Sequence, residues 1–492
     1  MKTFYSLLLF SIILIESITL KAQVGTFSKV YTGQSYEEGI KAFRLPDFTY
    51  RIIGNTGTYG WGGTNIWLIA LDSSANFMWH KTYGAGGVDK AEDAVMDSQG
   101  NIIIVGSSTS EANNSYQIIY INIDKNGAIN SQQYLGGADW EFGHGIERIS
   151  DSLYMIVGET YSYGNGQSDA WILQVNELGT ILWDKTLGGI KKEAFFDIKI
   201  NHDGGYICAG QSQSYGNGSF DPILYRTNQF GDSIALSHFA DTTDGGFYSL
   251  TIASDSGIIG VGYQRDTTNT YEDFTIIKMD KLGQLMWNRF QLRHQQDANY
   301  RAVLMQNEKI IVAGMSTRFG KGGQGVYGSM LAQDGWWMKS FIMGRENDEY
   351  THSMTIDTTE SLHYLLVGTT RSYGISHSGI LFVRMDSTLK WDTVVELMVP
   401  SGINQSYSNL TEVSIYPNPF SDVITFDKKN NAQNQNLELY VYDMIGHLIL
   451  SKTWPKNNET ISINTSNWSP SSYVFVLKND KYIQRQLIIL TR

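Results

Sequence analysis

Three aspartates recur 52 residues apart, Asp169, Asp221 and Asp273, each at the start of a run of β-branched and aromatic residues. An aspartate at the entrance to a strand caps a turn by accepting bonds from nearby backbone N–H groups. The loops leading into the first two, Tyr163-Gly164-Asn165-Gly166-Gln167-Ser168-Asp169 and Tyr215-Gly216-Asn217-Gly218-Ser219-Phe220-Asp221, are near copies rich in oxygen donors. Calcium takes six to eight oxygens, so Asp169 and Asp221 are also weak candidate Ca²⁺ ligands, although no D-x-D-x-D-G pattern accompanies them. A second acidic set, Asp89, Asp139, Glu193, Asp244, Asp297 and Asp348, reads as turn or interface residues. Two carboxylates suffice for glycoside hydrolysis, but repetition supplies too many equivalent acids to choose a pair. The nine histidines share no phase; His238, His294 and His352 fall near the ends of repeating units and read as solvated or hydrogen-bonded loop residues. The single cysteine, Cys208, lies in the apolar run 206–209 and reads as a small buried hydrophobe, with no disulfide open to it. The chain has no His-Glu-x-x-His, no zinc-like Cys/His spacing, no phosphate-cradling glycine loop and no G-x-S-x-G elbow. No catalytic and no cofactor-binding residue is therefore assigned.

The elements that must position these groups repeat with the same period. One glycine closes an apolar run in each of seven units: Gly54, Gly106, Gly158, Gly210, Gly262, Gly314 and Gly368. A fixed period of about 50 residues signals a repeat architecture. Each unit reads as four short strands. In the third, these are a weak first strand at 146–149, an apolar second at 153–157, a third at 170–175 and a fourth at 180–187, closed by Gly188-Gly189. Four strands with their turns fill one blade of a propeller, and no 3.6-residue period points to helices. The expected fold is all-β: a seven-bladed β-propeller with 52-residue, four-stranded blades, plus a small C-terminal immunoglobulin-like β-sandwich. Residues 27–33 match the fourth-strand pattern although the last unit has its own at 391–395, so they are expected to pair with the last blade and fasten the ring. Trp79, Trp183, Trp287 and Trp391 stand 104 residues apart and read as packing residues of alternate blades.

The formal net charge is −12, and the acid excess lies in residues 23–411, with about 27 basic against 41 acidic residues. Such a surface repels phosphate backbones and argues against nucleic acid as partner. Residues 1–22 read as a signal peptide: Lys2, an apolar run of about a dozen residues, and Leu20-Lys21-Ala22 as cleavage site. That run is too short to span a bilayer, and no other stretch reads as a transmembrane segment. The repeats resemble bacterial propeller repeats of the SBBP type through Gly204-Gly205-Tyr206 with Gly210, Asp169-Ala170-Trp171-Ile172, and 181–189. That resemblance implies a fold and says little about function.

The propeller is expected over 23–398, followed by a polar linker at 399–411. Residues 412–492 then hold about seven short strands, which suits a small sandwich. This segment resembles the type A C-terminal sorting domain of the type IX secretion system. The matching residues are Tyr416, Pro417, Asn418 and Pro419, then Asp443 and Gly446, then Tyr473 in the penultimate strand, with Ser472 where the family usually has glycine. The resemblance implies export from a Gram-negative bacterium through the type IX machinery, via the periplasm, to the outer cell surface or the medium. The leading expectation is a binding or adhesion propeller with a glycan or protein ligand. The alternatives are a secreted carbohydrate-active enzyme using acids at the channel mouth, and a structural surface-layer component.

Overall fold

The computed structural model describes residues 25–110, 115–216, 218–239, 244–265, 272–291, 298–317, 323–357, 361–393, 395–398, 413–416, 422–428, 436–442, 448–468, 472–478 and 483–489. The chain forms two compact units, 1–402 and 403–492. Among the described residues every regular element is a strand.

The first unit is a seven-bladed propeller. Blades 1 to 6 occupy 37–83, 89–135, 141–187, 193–238, 245–291 and 298–343, each an antiparallel four-stranded sheet in chain order. Blade 7 takes its first three strands from Glu349–Asp357, His363–Thr370 and Gly379–Asp386. Its fourth is Phe27–Thr32, which pairs antiparallel with Gly379–Asp386. The strand Val395–Met398 adds outside it in parallel, as a fifth. The last unit's own fourth strand is thus displaced from the expected 391–395, and Trp391 packs into the core between blades 6 and 7 instead. First strands are also longer than the sequence suggested: in blade 3 the strand is Glu141–Ser150, not four residues.

Second and third strands are apolar on both faces because each sheet is sandwiched between two neighbours. Ile102–Ser108 and Asn65–Leu71, for example, are buried along their whole length. Seven separate cores fill the seven joints, each built from two adjacent blades. The core between blades 7 and 1 joins Phe27 and Tyr31 of the closing strand to Tyr50, Trp67, Leu365 and Phe382. A fully buried side chain of this size contributes about 1.5–3 kcal/mol, so each joint is a substantial core in its own right.

The turn between third and fourth strands repeats in chemistry as well as place. Asp72, Asp124, Asn176, Asn228, Asp280 and Asp386 each use Oδ1 to accept the N–H groups two and four residues on. A residue in the left-handed region follows three positions later, a glycine in four of these six turns and Ala75 or Leu389 in the other two; in blade 6, Gly335 takes the same place after Ala332. Replacing Asp124 by alanine removes acceptors for Asn126 N–H and Ala128 N–H, both within 2.8 Å. The expected loss is about 1–2 kcal/mol, read as a lower urea midpoint with an unchanged slope.

The second unit is a small sandwich. A three-stranded sheet (Val413–Tyr416, Val423–Lys428, Thr460–Asn464) faces a four-stranded one (Leu437–Tyr442, Leu448–Trp454, Ser472–Lys478, Ile483–Ile489), every pair antiparallel. Ile424, Phe426, Leu439, Trp454, Tyr473 and Phe475 form its core, giving the expected immunoglobulin-like two-layer arrangement.

Candidate functional site

The first strand of every blade carries a β-bulge at the same place, with register shifts at Gly39/Lys41, Ala91/Asp93, Gly143/Gly145, Phe195/Asp197, Phe247/Ser249, Tyr300/Ala302 and Thr351/Ser353. A bulge leaves one residue outside the ladder and re-aims its side chain. The seven bulge residues, Ile40, Glu92, His144, Phe196, Tyr248, Arg301 and His352, all line one central cavity of about 350 Å³. The bulge also explains the repeated glycine. It presses the carbonyl of the residue two before it against the second strand. A Cβ on Gly106, Gly158 or Gly210 would lie 1.9, 1.8 and 2.0 Å from the carbonyl oxygens of Lys90, Phe142 and Ala194.

The backbone geometry of the bulge is the same in every blade, but the ring it builds holds an aliphatic, an acid, two histidines, two aromatics and an arginine. Glu92, Arg301 and His352 also line a second, adjoining cavity of about 430 Å³ at the start of the first strands, with Glu38, Gln324 and Tyr350. Here His352 Nε2 lies 3.0 Å from Glu38 Oε1, and Asn55 Nδ2 donates to Glu38 Oε2 at 3.1 Å. Burial opposes ionisation of Glu38, but His352 and the hydrogen bonds from Tyr36 and Asn55 prevail and hold its carboxyl down at about 2. Glu92 has the opposite tendency. Its side chain is exposed to the channel, and the surrounding channel wall desolvates it enough to push its carboxyl up despite His144 and His352. Arg301 lies over the ring of Tyr248, 3.8 Å from its centroid.

Farther along the first strands a belt of polar contacts ties blade to blade. Lys41 pairs with Asp93 at 2.7 Å, and Asp93 Oδ2 accepts Ile146 N–H. Lys199 bridges Asp197 at 2.8 Å and Glu147 at 3.2 Å. Asp197 Oδ2 in turn accepts Leu250 N–H at 2.8 Å. Both lysines are thus neutralised within the wall.

Asp169 and Asp221 open the third strands of blades 3 and 4 and are buried. Asp169 Oδ2 accepts Gly166 N–H at 2.9 Å, a turn-capping contact within its own loop. Among the described residues no group of three or more His, Cys, Asp or Glu is arranged to hold a metal ion. The second acidic set divides. Two of its members, Asp89 and Glu193, share one position with Glu37, Glu141 and Glu349, which that set leaves out: the first residue of the first strand in blades 1, 2, 3, 4 and 7, all fully buried. Each accepts the backbone N–H four residues earlier and a Ser or Thr hydroxyl from the end of the second strand, as Glu193 does from Gly189 N–H and Ser212 Oγ. Asp244 and Asp348 instead tie the preceding blade's loop, accepting Phe220 N–H and Gln324 N–H at 3.0 Å. Asp139 sits in the turn before Glu141, and Asp297 lies outside the described residues.

The loop reading does not hold for His238 and His352, which stand on the strands Ser233–His238 and Glu349–Asp357; His352 lines the channel, as does His144 on the first strand of blade 3, while His294 lies outside the described residues. The 52-residue spacing runs unbroken through Ile40, Glu92, His144, Phe196 and Tyr248, but because the residue type changes at each step no pattern search finds it. Cys208 is buried, which pushes its thiol well up. Of the sorting motif, Tyr416 is half exposed and Tyr473 is buried against Trp468; Pro417, Asn418, Pro419, Asp443 and Gly446 lie outside the described residues.

Residues 414–490 match the family described as the secretion system C-terminal sorting domain. No curated protein matches the chain. Among solved structures it is similar to the Neurospora crassa Pan2 WD40 domain, with 8% identity over 70% of this chain and 88% of that one and a TM-score of 0.43. It is similar also to Sqt1 from Chaetomium thermophilum, with 10% identity over 94% and 98% and a TM-score of 0.42. A third similar structure is puromycin hydrolase, with 10% identity over 80% of this chain and 59% of that one and a TM-score of 0.44.

Proposed function

We propose that this chain, a seven-bladed propeller ending in a type IX sorting domain, is a surface-displayed or released binding protein whose ligand enters the central channel. The sorting domain marks it for export. Residues 1–22 act as the leader that takes it to the periplasm, and the type IX machinery then removes the C-terminal module. The observation that carries the binding reading is the bulge ring. The repeat serves as its own internal control: the second-strand glycine recurs in all seven blades, whereas the ring aimed into the cavity holds six residue types in seven places. A cavity of several hundred cubic ångströms lined by aromatic, basic and acidic groups suits one small molecule or one unit of a polymer.

The purified whole chain is expected to retain particular glycans or matrix proteins on an array. A double Glu92→Gln, His352→Gln variant should lose at least ten-fold in retention while still unfolding in one cooperative transition, its midpoint lowered only by the lost His352–Glu38 contact. Retention unchanged in the variant would remove the channel from the proposal. Removing residues 412–492 should leave the propeller inside producing cells; display outside without them would refute the export route.

One observation favours a second reading. Glu92 and Glu38 line the same cavity with carboxyls pushed in opposite directions, the usual arrangement of an acid and a base in glycoside cleavage. Release of reducing ends from a retained glycan, abolished by Glu92→Gln, would establish hydrolysis; binding without turnover keeps the chain a receptor.

A further inference from the structure

We propose that the channel mouth takes a ligand bearing a carboxylate, held by Arg301. The inference rests on the channel-mouth reading above and names the class of ligand within it.

Arg301 is the bulge residue of blade 6, and its guanidinium carbon lies over the ring of Tyr248 of blade 5, 3.8 Å from the centroid. Contact with the ring covers one side of the group. Its N–H donors make no bond to a described residue, and a guanidinium carries them in its own plane. In-plane pairs of donors match the two oxygens of a carboxylate, which a lysine's point charge does not.

The two lysines of the channel are already committed, Lys41 to Asp93 and Lys199 to Asp197 and Glu147, and the imidazole of His352 lies against Glu38. Arg301 has no ion pair and donates no hydrogen bond to any described residue. A guanidinium placed at the edge of a cavity, set against an aromatic ring and given no internal anion, is provided for an anion from outside.

The same cavity holds one uncommitted acid. Glu92 lines it with Arg301 and accepts no hydrogen bond from a described residue. A ligand whose carboxylate meets Arg301 can therefore offer a hydroxyl or amine to Glu92. Uronic acids and acidic amino acids share this chemistry, and about 430 Å³ admits either. The propeller as a whole is acidic, so a free carboxylate meets general repulsion and binds only where a local cation outweighs it.

Titration calorimetry on the whole chain tests this with four probes: glucuronate, galacturonate, N-acetylglutamate and neutral glucose. At least one acid should bind and glucose should not, and the acids compared with each other separate a sugar source from an amino-acid source. Arg301→Lys should weaken binding at least ten-fold and Arg301→Gln should abolish it. Both variants should still fold, with at most a small drop in the denaturant midpoint, since Arg301 holds no other residue by a hydrogen bond and only its contact with the Tyr248 ring is weakened. If glucose binds as well as the acids, or if acid binding survives Arg301→Gln, the carboxylate class is overturned. The array retention lost in the Glu92→Gln, His352→Gln variant would then still support the channel. If all four probes fail to bind, the proposal falls; failure of the array screen as well removes the channel reading with it.

Discussion

Replacing Gly158 by alanine is expected to cost about 3 kcal/mol or more, a large loss for adding one methyl group. The added Cβ would stand 1.8 Å from the carbonyl oxygen of Phe142 and 3.1 Å from Gly143 Cα. Both are backbone atoms of the neighbouring strand, so no rotamer change relieves the overlap. Relief requires the first strand of blade 3 to move away or its bulge to straighten. Straightening returns His144 to the ladder, where its side chain no longer faces the channel. A folded Gly158→Ala protein should therefore show a lower urea midpoint and altered His144 resonances together. Gly86→Ala is the matched control, because nothing lies within 4 Å of its added Cβ and its backbone is not left-handed. Equal midpoints for the two variants would show that the bulge does not need the glycine.

The same contact explains how far the sequence could be read. The seven glycines announced the period because the close approach recurs in each blade and only glycine tolerates it. Their cause was hidden, since a bulge adds one residue on the partner strand and leaves no mark of its own in the residue pattern. The channel ring was hidden for the converse reason: Ile40, Glu92, His144 and Phe196 occupy one place but share no chemistry, so periodicity passes over them. The acids show a third case. Asp139, Asp244 and Asp348 lie one or two residues from the buried clamp position, close enough to be grouped with Asp89 and Glu193 before the strands fixed the phase. Closure by residues 27–33 was legible because Phe27 to Thr32 carries a fourth-strand pattern beyond the one that each of the seven units already supplies. The parallel addition of Val395–Met398 was not, because pairing direction depends on where the chain has already been used.

Six joints of the ring are made between blades that follow one another in sequence, and the seventh must bring the two ends of the propeller together. A buried ion cluster sits at that joint, and breaking it is the second change expected to be large. Asp357 ends the first strand of blade 7, Arg44 ends that of blade 1, and Arg384 lies on the third strand of blade 7. Asp357 Oδ2 accepts Arg44 Nη1 at 2.8 Å and Arg384 Nε at 3.2 Å, and all three side chains are at most 2% exposed. Arg384 Nη1 also donates to Gly25 O at 3.0 Å, just ahead of the closing strand. Phe27 of that strand packs edge-on against Tyr50 of blade 1 and Phe382 of blade 7, at 5.8 and 5.1 Å. Asp357→Ala would leave two guanidinium groups in the interior without their shared anion, and removing one partner of a buried ionic group typically costs about 3–5 kcal/mol. Replacing Asp357, Arg44 and Arg384 together by apolar residues of similar volume should cost much less, because no unpaired charge remains. Hydrogen exchange separates this from general loosening. In Asp357→Ala the amides of Phe27–Thr32 should lose protection first, while those of Tyr206–Ser212, on the far side of the ring, keep theirs until global unfolding. Uniform loss of protection around the ring, or a single variant as stable as the triple one, would mean that the cluster does not lock the two ends.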